Sequence, residues 1–464
     1  MRRGVVNPAA LAAVILWMTG PALAVTYQVN SNGDGPDANT ADGTCETSTP
    51  GQCTLRAAVQ QANVTGGTIN VPAMTITLTD YLAVQHDMSI VGAGMRATVV
   101  SGAGLYQIFD VGSPVATPLT VTISDMTLRD GHANAFNGGD GVAIHQYQGK
   151  LTVDRCFFTN NYATYGGAIL ADHTETKIRD SVFTDNHAPD GIAGAIWAFA
   201  SSLTMINVAL TGNSADTGGA LVLTLGSYGT LTNVTFGDNI AVKDGGAIAI
   251  AGGISVASSL VLYSSTVAFN QAYGLGAGIY VTDSDQSVSI QNTVFSGNAE
   301  GCPACFKAIN NCHGTITSLG KAVVTTGVGC TVSGTSTSAD PKLGPLQDNG
   351  GPNGPTFALK AGSSAIDSGT VGGCPLTDQR GVQRQIGVAC DMGAYESSPC
   401  GDANGDGSLS VADVFFLINY LFAGGPIPPG LANVDGDGVK SVSDVFYLIN
   451  HLFAGGPAGQ CPGT

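Results

Sequence analysis

Short runs in which apolar and polar residues alternate fill the middle of the chain. Leu151, Val153, Cys156 and Phe158 mark the apolar positions of two such runs, and Gly, Asn and Asp residues follow each run. A period of two predicts half-buried β-strands that end in turns. Because no unit has a helical period, the pattern predicts an all-β middle section.

These runs belong to a repeat with two recurring marks. The first is a step of small residues: Gly166-Gly167-Ala168, Gly194-Ala195, Gly218-Gly219-Ala220, Gly245-Gly246-Ala247 and Gly276-Ala277-Gly278. The second is an asparagine after a large apolar residue, as in Phe158-Thr-Asn-Asn161, Phe183-Thr-Asp-Asn186, Leu210-Thr-Gly-Asn213, Phe236-Gly-Asp-Asn239, Phe269-Asn270 and Phe295-Ser-Gly-Asn298. Successive asparagines lie 25 to 31 residues apart, a period that indicates a solenoid.

A repeat of about 26 residues has room for three short strands per turn, which indicates a parallel β-helix with coils about 4.8 Å apart. The inward Ile, Val, Leu and Phe side chains then stack into one core. Asparagine can bond to backbone groups and to its own stacked copies, and it tolerates the left-handed conformation, so the asparagine column predicts a turn ladder.

A solenoid exposes apolar core at its end and needs a cap. Thr54 can cap a helix over residues 54–63 that places Leu55, Val59 and Ala62 on one face. The same segment, Cys53-Thr-Leu-Arg-Ala-Ala-Val59, resembles the Cys-Ser-Leu-Arg-Glu-Ala opening of secreted bacterial right-handed β-helix proteins, with Ala57 where Glu is usual.

The resemblance continues downstream. The Gly-Gly-Ala and Phe-x-x-Asn units are similar to those of polymorphic outer-membrane proteins. Residues 340–346, 362–367 and 378–396 are similar to the choice-of-anchor segment that ends many of them. Together the similarities cover residues 25–397, and they imply a right-handed parallel β-helix without implying an activity.

The N-terminus has the order of an export signal. Arg2 and Arg3 precede an apolar run at 9–18, and Ala22-Leu23-Ala24 offers small residues for cleavage before Val25. The run is short for a membrane span, although an uncleaved anchor remains an alternative. No later segment has the pattern of a spanning helix. We therefore expect a secreted protein, soluble or associated with the cell surface or outer membrane.

Cysteine usage agrees with an oxidising compartment. Four disulfides are predicted: Cys45–Cys53, Cys312–Cys330, Cys374–Cys390 and Cys400–Cys461. A zinc knuckle formed by Cys302, Cys305, Cys312 and His313 is an alternative for that region. Cys156 is left over, and its apolar neighbours predict an inert core thiol.

Composition narrows the function classes. Charged residues make up 11% of the chain against 44% hydrophobic residues, which argues against disorder. The formal net charge is −17, and Lys and Arg together number 17 in 464 residues. Binding to nucleic acid needs a basic surface that neutralises phosphates, so this class is excluded.

Two calcium-type loops follow at the C-terminus, where alternate positions carry oxygen-bearing residues and a glycine allows the sharp turn. The predicted ligands of two calcium ions are Asp402, Asn404, Asp406, Ser408, Ser410, Asp413, Asn433, Asp435, Asp437, Val439 through its carbonyl, Ser441 and Asp444. Each loop leads into an amphipathic helix, at 414–422 and 445–453, that ends in Gly-Gly-Pro.

This pair of units resembles a type I dockerin over residues 400–461, which implies calcium-dependent docking to a cohesin-like partner. Loop positions 10 and 11 contact cohesin in dockerins, and here they are Val411-Ala412 and Val442-Ser443 rather than a polar pair. A different specificity, or a homotypic or intramolecular contact, therefore stays open. So does a simpler role in which calcium only fixes the tail.

Candidate catalytic residues come from position alone. Asp190, Asp216 and Asp244 precede the small-residue step in three successive units, where closely stacked carboxylates can equally hold calcium or act as acid and base. Ordinary turn capping is the alternative. Trp197 can stack on a sugar or pack as a ladder aromatic. His145, His173 and His187 have no ligand spacing, and we interpret them as surface or turn residues.

The sequence thus predicts an all-β right-handed parallel β-helix solenoid with a small α-helical dockerin. Its parts are a signal peptide (1–24), an N-terminal cap (25–65), the β-helix (66–335), an anchor-like segment (336–398) and the dockerin (399–464). We expect it to bind or degrade extracellular polysaccharide, as a glycoside hydrolase or polysaccharide lyase if it is an enzyme. The alternative is a non-enzymatic surface adhesin.

Overall fold

A computed structural model describes residues 25–113, 117–133, 141–251, 256–282, 284–301, 308–325, 327 and 329–461. The predicted signal peptide and the pair Cys302 and Cys305 lie outside these residues. Most of the described chain forms one parallel β-solenoid, which confirms the predicted all-β architecture. None of the helices in the described ranges combines the length and apolar character needed to cross a bilayer.

The strands of the first coils are β1 (Thr26–Gln28), β2 (Gly67–Asn70), β3 (Thr75–Thr77), β4 (Leu82–Val84), β5 (Met88–Val91), β6 (Val99–Ser101), β7 (Phe109–Val111), β8 (Leu119–Ser124) and β9 (Thr127–Arg129). The central coils contain β10 (Ile144–Asp154), β11 (Phe157–Thr159), β12 (Ile169–Arg179), β13 (Val182–Thr184), β14 (His187–Ile192), β15 (Ile196–Phe199), β16 (Ser202–Thr211), β17 (Ser214–Thr217), β18 (Leu221–Thr224), β19 (Tyr228–Gly237), β20 (Ile240–Ala241) and β21 (Ile248–Ile250).

The last coils contain β22 (Ser259–Tyr263), β23 (Thr266–Ala268), β24 (Gln271–Ala272), β25 (Ile279–Val281), β26 (Ser287–Gln291), β27 (Thr293–Ser296), β28 (Ala299–Glu300), β29 (Ala308–Ile309), β30 (Cys312–Ser318), β31 (Ala322–Val324) and β32 (Cys330–Gly334). A hairpin of β33 (Leu343–Gln347) and β34 (Thr356–Leu359) follows. The helices are α1 (Leu55–Thr65), α2 (Val411–Ala423) and α3 (Val442–Ala454).

Strand pairing divides the solenoid into three faces. The first face stacks β4, β7, the starts of β10 and β12, β15, β18, β21, β25 and the start of β30. The second face runs from β1 and β2 through the ends of β10 and β12 to β32. The third face runs from β3 through β11, β13 and the ends of β16 and β19 to β31. A short sheet that begins with β14 and β17 closes several turns.

Stacked columns of large side chains fill the core. On the third face the paired positions are Phe158, Phe183, Leu210, Phe236, Val267 and Phe295, all fully buried. The rings of Phe158 and Phe183 stack with their centroids 4.4 Å apart. In the coil of Phe269-Asn270 the column position is taken by Val267, three residues before the ladder asparagine. Phe269 is exposed and packs against Phe357 of the C-terminal segment instead.

The asparagine turn ladder is confirmed. Asn161, Asn186, Asn213, Asn239, Asn270 and Asn298 are buried, and each side-chain amide donates to the Oδ1 of the next asparagine at 2.6–2.9 Å, ending on Asn311. The left-handed conformation falls on the residue before each ladder asparagine, as at Asp185 and Asp238, and not on the asparagine itself.

The repeated glycine steps follow from how closely the coils approach each other. A Cβ atom on Gly167, Gly194 or Gly219 would collide with the backbone oxygen of the equivalent residue in the next coil. The step therefore tolerates only glycine at these positions, which explains why it recurs with the period of the solenoid.

The N-terminal helix forms as predicted. The Thr54 hydroxyl accepts a hydrogen bond from the Ala57 backbone amide at 3.1 Å, which caps α1. Leu55, Val59 and Ala62 are buried in the solenoid core. The first coil begins earlier than expected, however, because β1 already pairs with β2.

All four predicted disulfides are present: Cys45–Cys53, Cys312–Cys330, Cys374–Cys390 and Cys400–Cys461. Because Cys312 is disulfide-bonded, the zinc-knuckle alternative that included it was wrong. Cys156 is a free, buried thiol, as predicted. Burial raises its pKa to about 12, so the reactive thiolate is disfavoured.

The segment after the last coil returns along the third face. Phe357 packs near Gly237, Asn353 donates to Asp180 at 3.1 Å, and the Ala394 amide donates to Thr266 at 3.0 Å. Two buried ion pairs hold the segment together, Arg380–Asp378 at 2.7 Å and Arg384–Glu396 at 3.1 Å. The predicted anchor-like segment is thus a cover on the flank of the solenoid.

Candidate functional site

The three aspartates predicted to form one column do not share a register. The backbone oxygen of Asp216 accepts a hydrogen bond from the amide of Lys243. The backbone oxygen of Asp244 accepts from the amide of Gly218, which is two residues after Asp216. Asp190 lies where the pairing of β14 with β17 shifts. The assumption of equal positions was wrong, because a bulge and unequal coil lengths displace residues that look equivalent in sequence.

Two of these aspartates also have a local contact. The Lys243 ammonium forms an ion pair with Asp216. The Asp244 carboxylate accepts from the Leu275 amide at 2.7 Å, as a turn-capping aspartate does. Asp190 is exposed in β14. These contacts favour the turn alternative, and the catalytic role of the three aspartates stays an untested prediction.

The first C-terminal loop folds around its carboxylates. Buried Asp402 accepts from the backbone amides of Asp406 and Gly407 at 3.1 and 3.0 Å. Asp413 accepts from Asn404 at 3.1 Å and from Ser410 at 2.8 Å, which joins the loop start to the helix start. Burial raises the pKa of Asp402 to about 6, and the nearby charges of Asp413 and Asp406 add to the rise.

The second loop repeats this arrangement with one difference. Asp444 accepts from the Val434 amide at 2.6 Å and from Ser441 at 2.7 Å. Asn433 occupies the first loop position, and its Oδ1 is buried without a hydrogen-bond partner among the described residues. A buried oxygen without a donor suits a cation, so the donor set of this loop fits a calcium ion.

Two further observations bear on the loops. No group of three or more His, Cys, Asp or Glu side chains converges as a metal site within the described ranges. The predicted ligand set also includes amide, hydroxyl and carbonyl oxygens. Ser410 and Ser441 cap α2 and α3 by accepting from Ala412 and Ser443, each at 3.1 Å.

The helices begin three residues earlier than the sequence predicts. Capping boxes place the first helical residues at Val411 and Val442, before the last predicted ligand of each loop. Each helix ends at a glycine in the left-handed conformation. Two phenylalanines on each helix, at equivalent positions, remain about two-thirds exposed: Phe415, Phe422, Phe446 and Phe453.

The loop side of this two-helix module packs on the C-terminal segment. The Gln383 amide donates to Gly405 at 2.9 Å, and the Gly351 amide donates to Pro428 at 2.8 Å. Lys440 lies 3.6 Å from Asp348 beside a cavity of about 380 Å³. The exposed phenylalanines lie on the helices and not in these contacts.

A second cluster lies on the outer side of the first face. Asp110 pairs in register with His145, whose Nδ1 is 3.8 Å from the aspartate Oδ1. His145 is almost fully buried, and its Nε2 has no hydrogen-bond partner among the residues described. Burial raises the pKa of Asp110 to about 6 and lowers that of His145 to about 4. The ordinary order of the two pKa values is therefore inverted, with that of the aspartate above that of the histidine.

Aromatic side chains continue this surface along the next coils. Trp197 pairs in register with Leu170, which pairs with His145. Tyr165 and Phe199 lie 5.5 and 5.3 Å from Trp197, measured between ring centroids. We call Tyr165, Trp197 and Phe199 the aromatic patch. Trp197 is partly exposed and donates to Thr224 at 2.9 Å, so its ring belongs to the outer surface and not to the core.

The sequence alone did not predict this cluster. The interpretation of His145 as a surface or turn residue was wrong, because the residue is buried in a strand. Asp110 and His145 lie 35 positions apart in coils of unequal length, so their juxtaposition depends on register. The sequence did contain one indication of this pair. Asp110 and His145 each follow a core residue, Phe109 and Ile144, and these two core residues pair with each other.

Comparison with known proteins gives two similarities. Residues 155–172 match the Chlamydia polymorphic membrane protein repeat. The A-module of mannuronan C-5 epimerase AlgE4 from Azotobacter vinelandii aligns with 61% of this chain and 93% of its own length, at 13% identity and a TM-score of 0.29. No curated protein gives a significant match.

Proposed function

We propose that the protein is a secreted polysaccharide-binding β-helix that is attached to a partner through its C-terminal module. The observation that carries the proposal is the partly exposed aromatic patch near the Asp110–His145 pair on the outer side of the first face. Aromatic rings combined with a few polar groups form a surface on which sugar rings can stack and orient. The four disulfides support an extracellular location.

The attachment part of the proposal rests on the two-helix module. Its loops carry the oxygen ligands for two calcium ions, and the buried Asn433 Oδ1 supports their use. When bound, calcium would link the two ends of each loop and fix the helix start. The exposed phenylalanines Phe415, Phe422, Phe446 and Phe453 then offer a repeated apolar surface to a cohesin-like partner or a second copy.

Replacing Trp197 by alanine is expected to weaken polysaccharide binding about tenfold, which corresponds to ~1.4 kcal/mol. Affinity electrophoresis on a panel of neutral and acidic polysaccharides, with the full mature chain, measures this. Tyr228→Ala is the control, because Tyr228 is an exposed aromatic residue in β19 on the second face, outside the patch. Equal retention of both variants would contradict the proposal, as would a wild-type chain that binds none of the polymers.

Calcium is expected to raise the free energy of unfolding of the C-terminal module by about 2.7 kcal/mol for each bound ion at one hundred times its Kd, or about 5.4 kcal/mol for two independent ions. Differential scanning calorimetry with calcium and with chelator measures the shift. Asp406→Ala should reduce it, whereas Asp348→Asn, outside both loops and exposed, should not. A melting temperature that is the same with calcium and with chelator would contradict calcium binding, and the module would then be a pair of helices without a metal.

A non-enzymatic surface adhesin is the second candidate. The match of residues 155–172 to a polymorphic membrane protein repeat favours it, since that name describes a protein of the membrane. Binding without any turnover on the same panel is the result that this candidate requires.

A further inference from the structure

Aromatic side chains also line the turns that lead into the first face. His132, Tyr162 and His187 lie at bridged positions in three successive coils. The rings of His132 and Tyr162 stack with their centroids 5.1 Å apart, and the ring centroid of His187 lies 6.5 Å from that of Tyr162. We call these three residues the turn column. Tyr162 is 42% exposed, so the column presents ring surface to solvent.

The asparagine ladder explains why this column lies outside the core. Tyr162 and His187 directly follow the buried ladder residues Asn161 and Asn186. Successive side chains of an extended chain point to opposite sides, so the residue after each inward asparagine points outward. In the next coil the Ser214 Oγ, at the paired position, lies 2.8 Å from His187 Nδ1 and fixes that ring. Because the rings are already held, a ligand does not have to order them.

The turn column is continuous with the aromatic patch. Tyr162 and Tyr165 belong to the same turn, and three residues of chain separate their α-carbons by no more than about 11 Å. The next coil repeats this adjacency, because His187 pairs with Tyr162 and Ile192 pairs with Tyr165. Tyr165 is 39% exposed, and its ring centroid lies 5.5 Å from that of Trp197. Column and patch thus form one aromatic surface with room for more than one sugar ring.

A bulge places an aspartate between the two groups of rings. Residues 189–191 of β14 lie opposite the single residue Asp216, because the register shifts there. The excess residues interrupt the pairing of the short sheet, and they include the exposed Asp190. On the other side, the same bulge faces the part of the turn between Tyr162 and Tyr165. Asp190 therefore lies, in register, between the turn column and the aromatic patch.

The charge of these turns determines which sugars they suit. The segments that carry the rings and the bulge contain three aspartates and no Lys or Arg: 130–133, 160–168 and 185–195. Arg129, just before the first segment, is already paired with Asp130 at 3.3 Å. An anionic polymer would meet carboxylates without a free cation to compensate. The hydroxyl groups of a neutral sugar can instead donate to a carboxylate, and such charge-assisted hydrogen bonds are stronger than neutral ones.

We propose that the turn column and Asp190 extend the polysaccharide site beyond the aromatic patch, and that the extended site takes several units of a neutral polysaccharide chain. Tyr162 stacks on one sugar ring, and Tyr165 and Trp197 stack on a neighbouring one. The Asp190 carboxylate accepts hydrogen bonds from sugar hydroxyl groups between them. This inference rests on the proposed polysaccharide binding and specifies its ligand.

The test measures affinity against chain length. Isothermal titration calorimetry with the full mature chain uses cello-, xylo- and manno-oligosaccharides from disaccharide to hexasaccharide, with oligogalacturonates as the anionic comparison. We expect the wild-type affinity for a neutral series to rise with length until both groups of rings are occupied. Tyr162→Ala should lower the affinity for the hexasaccharide about tenfold and that for the disaccharide by less than about twofold. Asp190→Asn should lower the hexasaccharide affinity about fivefold.

Two kinds of control accompany these variants. Tyr162→Phe keeps the ring and should retain the wild-type affinity, which separates stacking from a role of the hydroxyl group. Tyr228→Ala and Asp285→Asn replace exposed residues of the same types outside these turns, and both should bind like the wild type.

The outcomes separate this inference from the proposed function. If Trp197→Ala loses binding while Tyr162→Ala and Asp190→Asn bind the hexasaccharide like their controls, the extension is overturned and polysaccharide binding at the patch remains. Tighter binding of oligogalacturonates than of every neutral series overturns the assignment to neutral sugars. A wild-type chain that binds none of the oligosaccharides overturns both proposals.

Discussion

Asn213→Ala is expected to lower the free energy of unfolding of the solenoid by about 3 kcal/mol. Asn213 lies in the middle of the buried ladder, where its Oδ1 accepts from both the backbone and side-chain amides of Asn186 at 3.1 and 2.9 Å. Its own amide donates to Phe183 and Asn239. Alanine removes the acceptor of the buried Asn186 backbone amide and one donor to the Phe183 carbonyl, and each buried group left without a partner costs about 1–3 kcal/mol.

Urea denaturation followed by circular dichroism measures this change. Ser202→Ala removes an exposed hydroxyl from the same coil and should change the free energy of unfolding by less than about 0.5 kcal/mol. If the two variants proved equally stable, the ladder would be a by-product of turn geometry and not a source of stability.

Arg384→Met is expected to destabilise the segment that covers the third face by about 3–5 kcal/mol. The Arg384 guanidinium donates to Glu396 at 3.1 Å and to Asn233 of the solenoid at 3.0 Å, and both charged side chains are buried. Removing one member of a buried ion pair leaves the other charge uncompensated. Hydrogen exchange at the amides of Gln385 and Ile386, which donate to Glu396, reports the loss.

Arg179→Met is the control for that change. Arg179 pairs with Asp154 at 3.2 Å but is half exposed, and such surface pairs contribute less than about 1 kcal/mol. The double variant Arg384→Met/Glu396→Gln should recover part of the lost protection, because it removes the uncompensated charge. Unchanged exchange in Arg384→Met would show that the cover is held by its apolar contacts alone.

Glu396 also gives this segment a pH dependence. Burial raises its pKa from 4.5 to about 7, and the charge of Asp391 adds to the rise. The folded state therefore binds the proton more tightly than the unfolded state. Its contribution to stability is fully present below pH 4.5 and is lost as the pH rises through 7. Glu396→Gln should flatten this decline.

Periodic features were accessible from the sequence because they depend on local chemistry that repeats. At each of these places a particular residue type meets a local requirement. Asparagine makes the hydrogen bonds of the turn, glycine allows the coils to approach closely, and Thr54 caps the helix. The four disulfides followed from cysteines that bracket recognisable segments. These features require no knowledge of how one coil is aligned with the next.

Features that depend on the alignment between coils were not accessible. Asp190, Asp216 and Asp244 look equivalent in sequence, yet the pairing of β14 with β17 shifts at Asp190, and Asp244 bonds to Gly218 and not to Asp216. Asp110 and His145 look unrelated, yet they are paired neighbours. Insertions of a few residues in turns change the register without leaving a mark in composition.

The return of the chain along the third face determines where the C-terminal module lies relative to the solenoid. Asn353 bonds to Asp180 in a central coil, and Gly351, two residues away, bonds to Pro428 in the helical module. The module is therefore held beside the central coils of the solenoid and not at its end. If the protein is attached through the exposed phenylalanines of the module, the solenoid axis would lie roughly parallel to the surface of the partner. Successive coils would then lie at a similar distance from that surface, and a long polymer chain could contact several coils along its length.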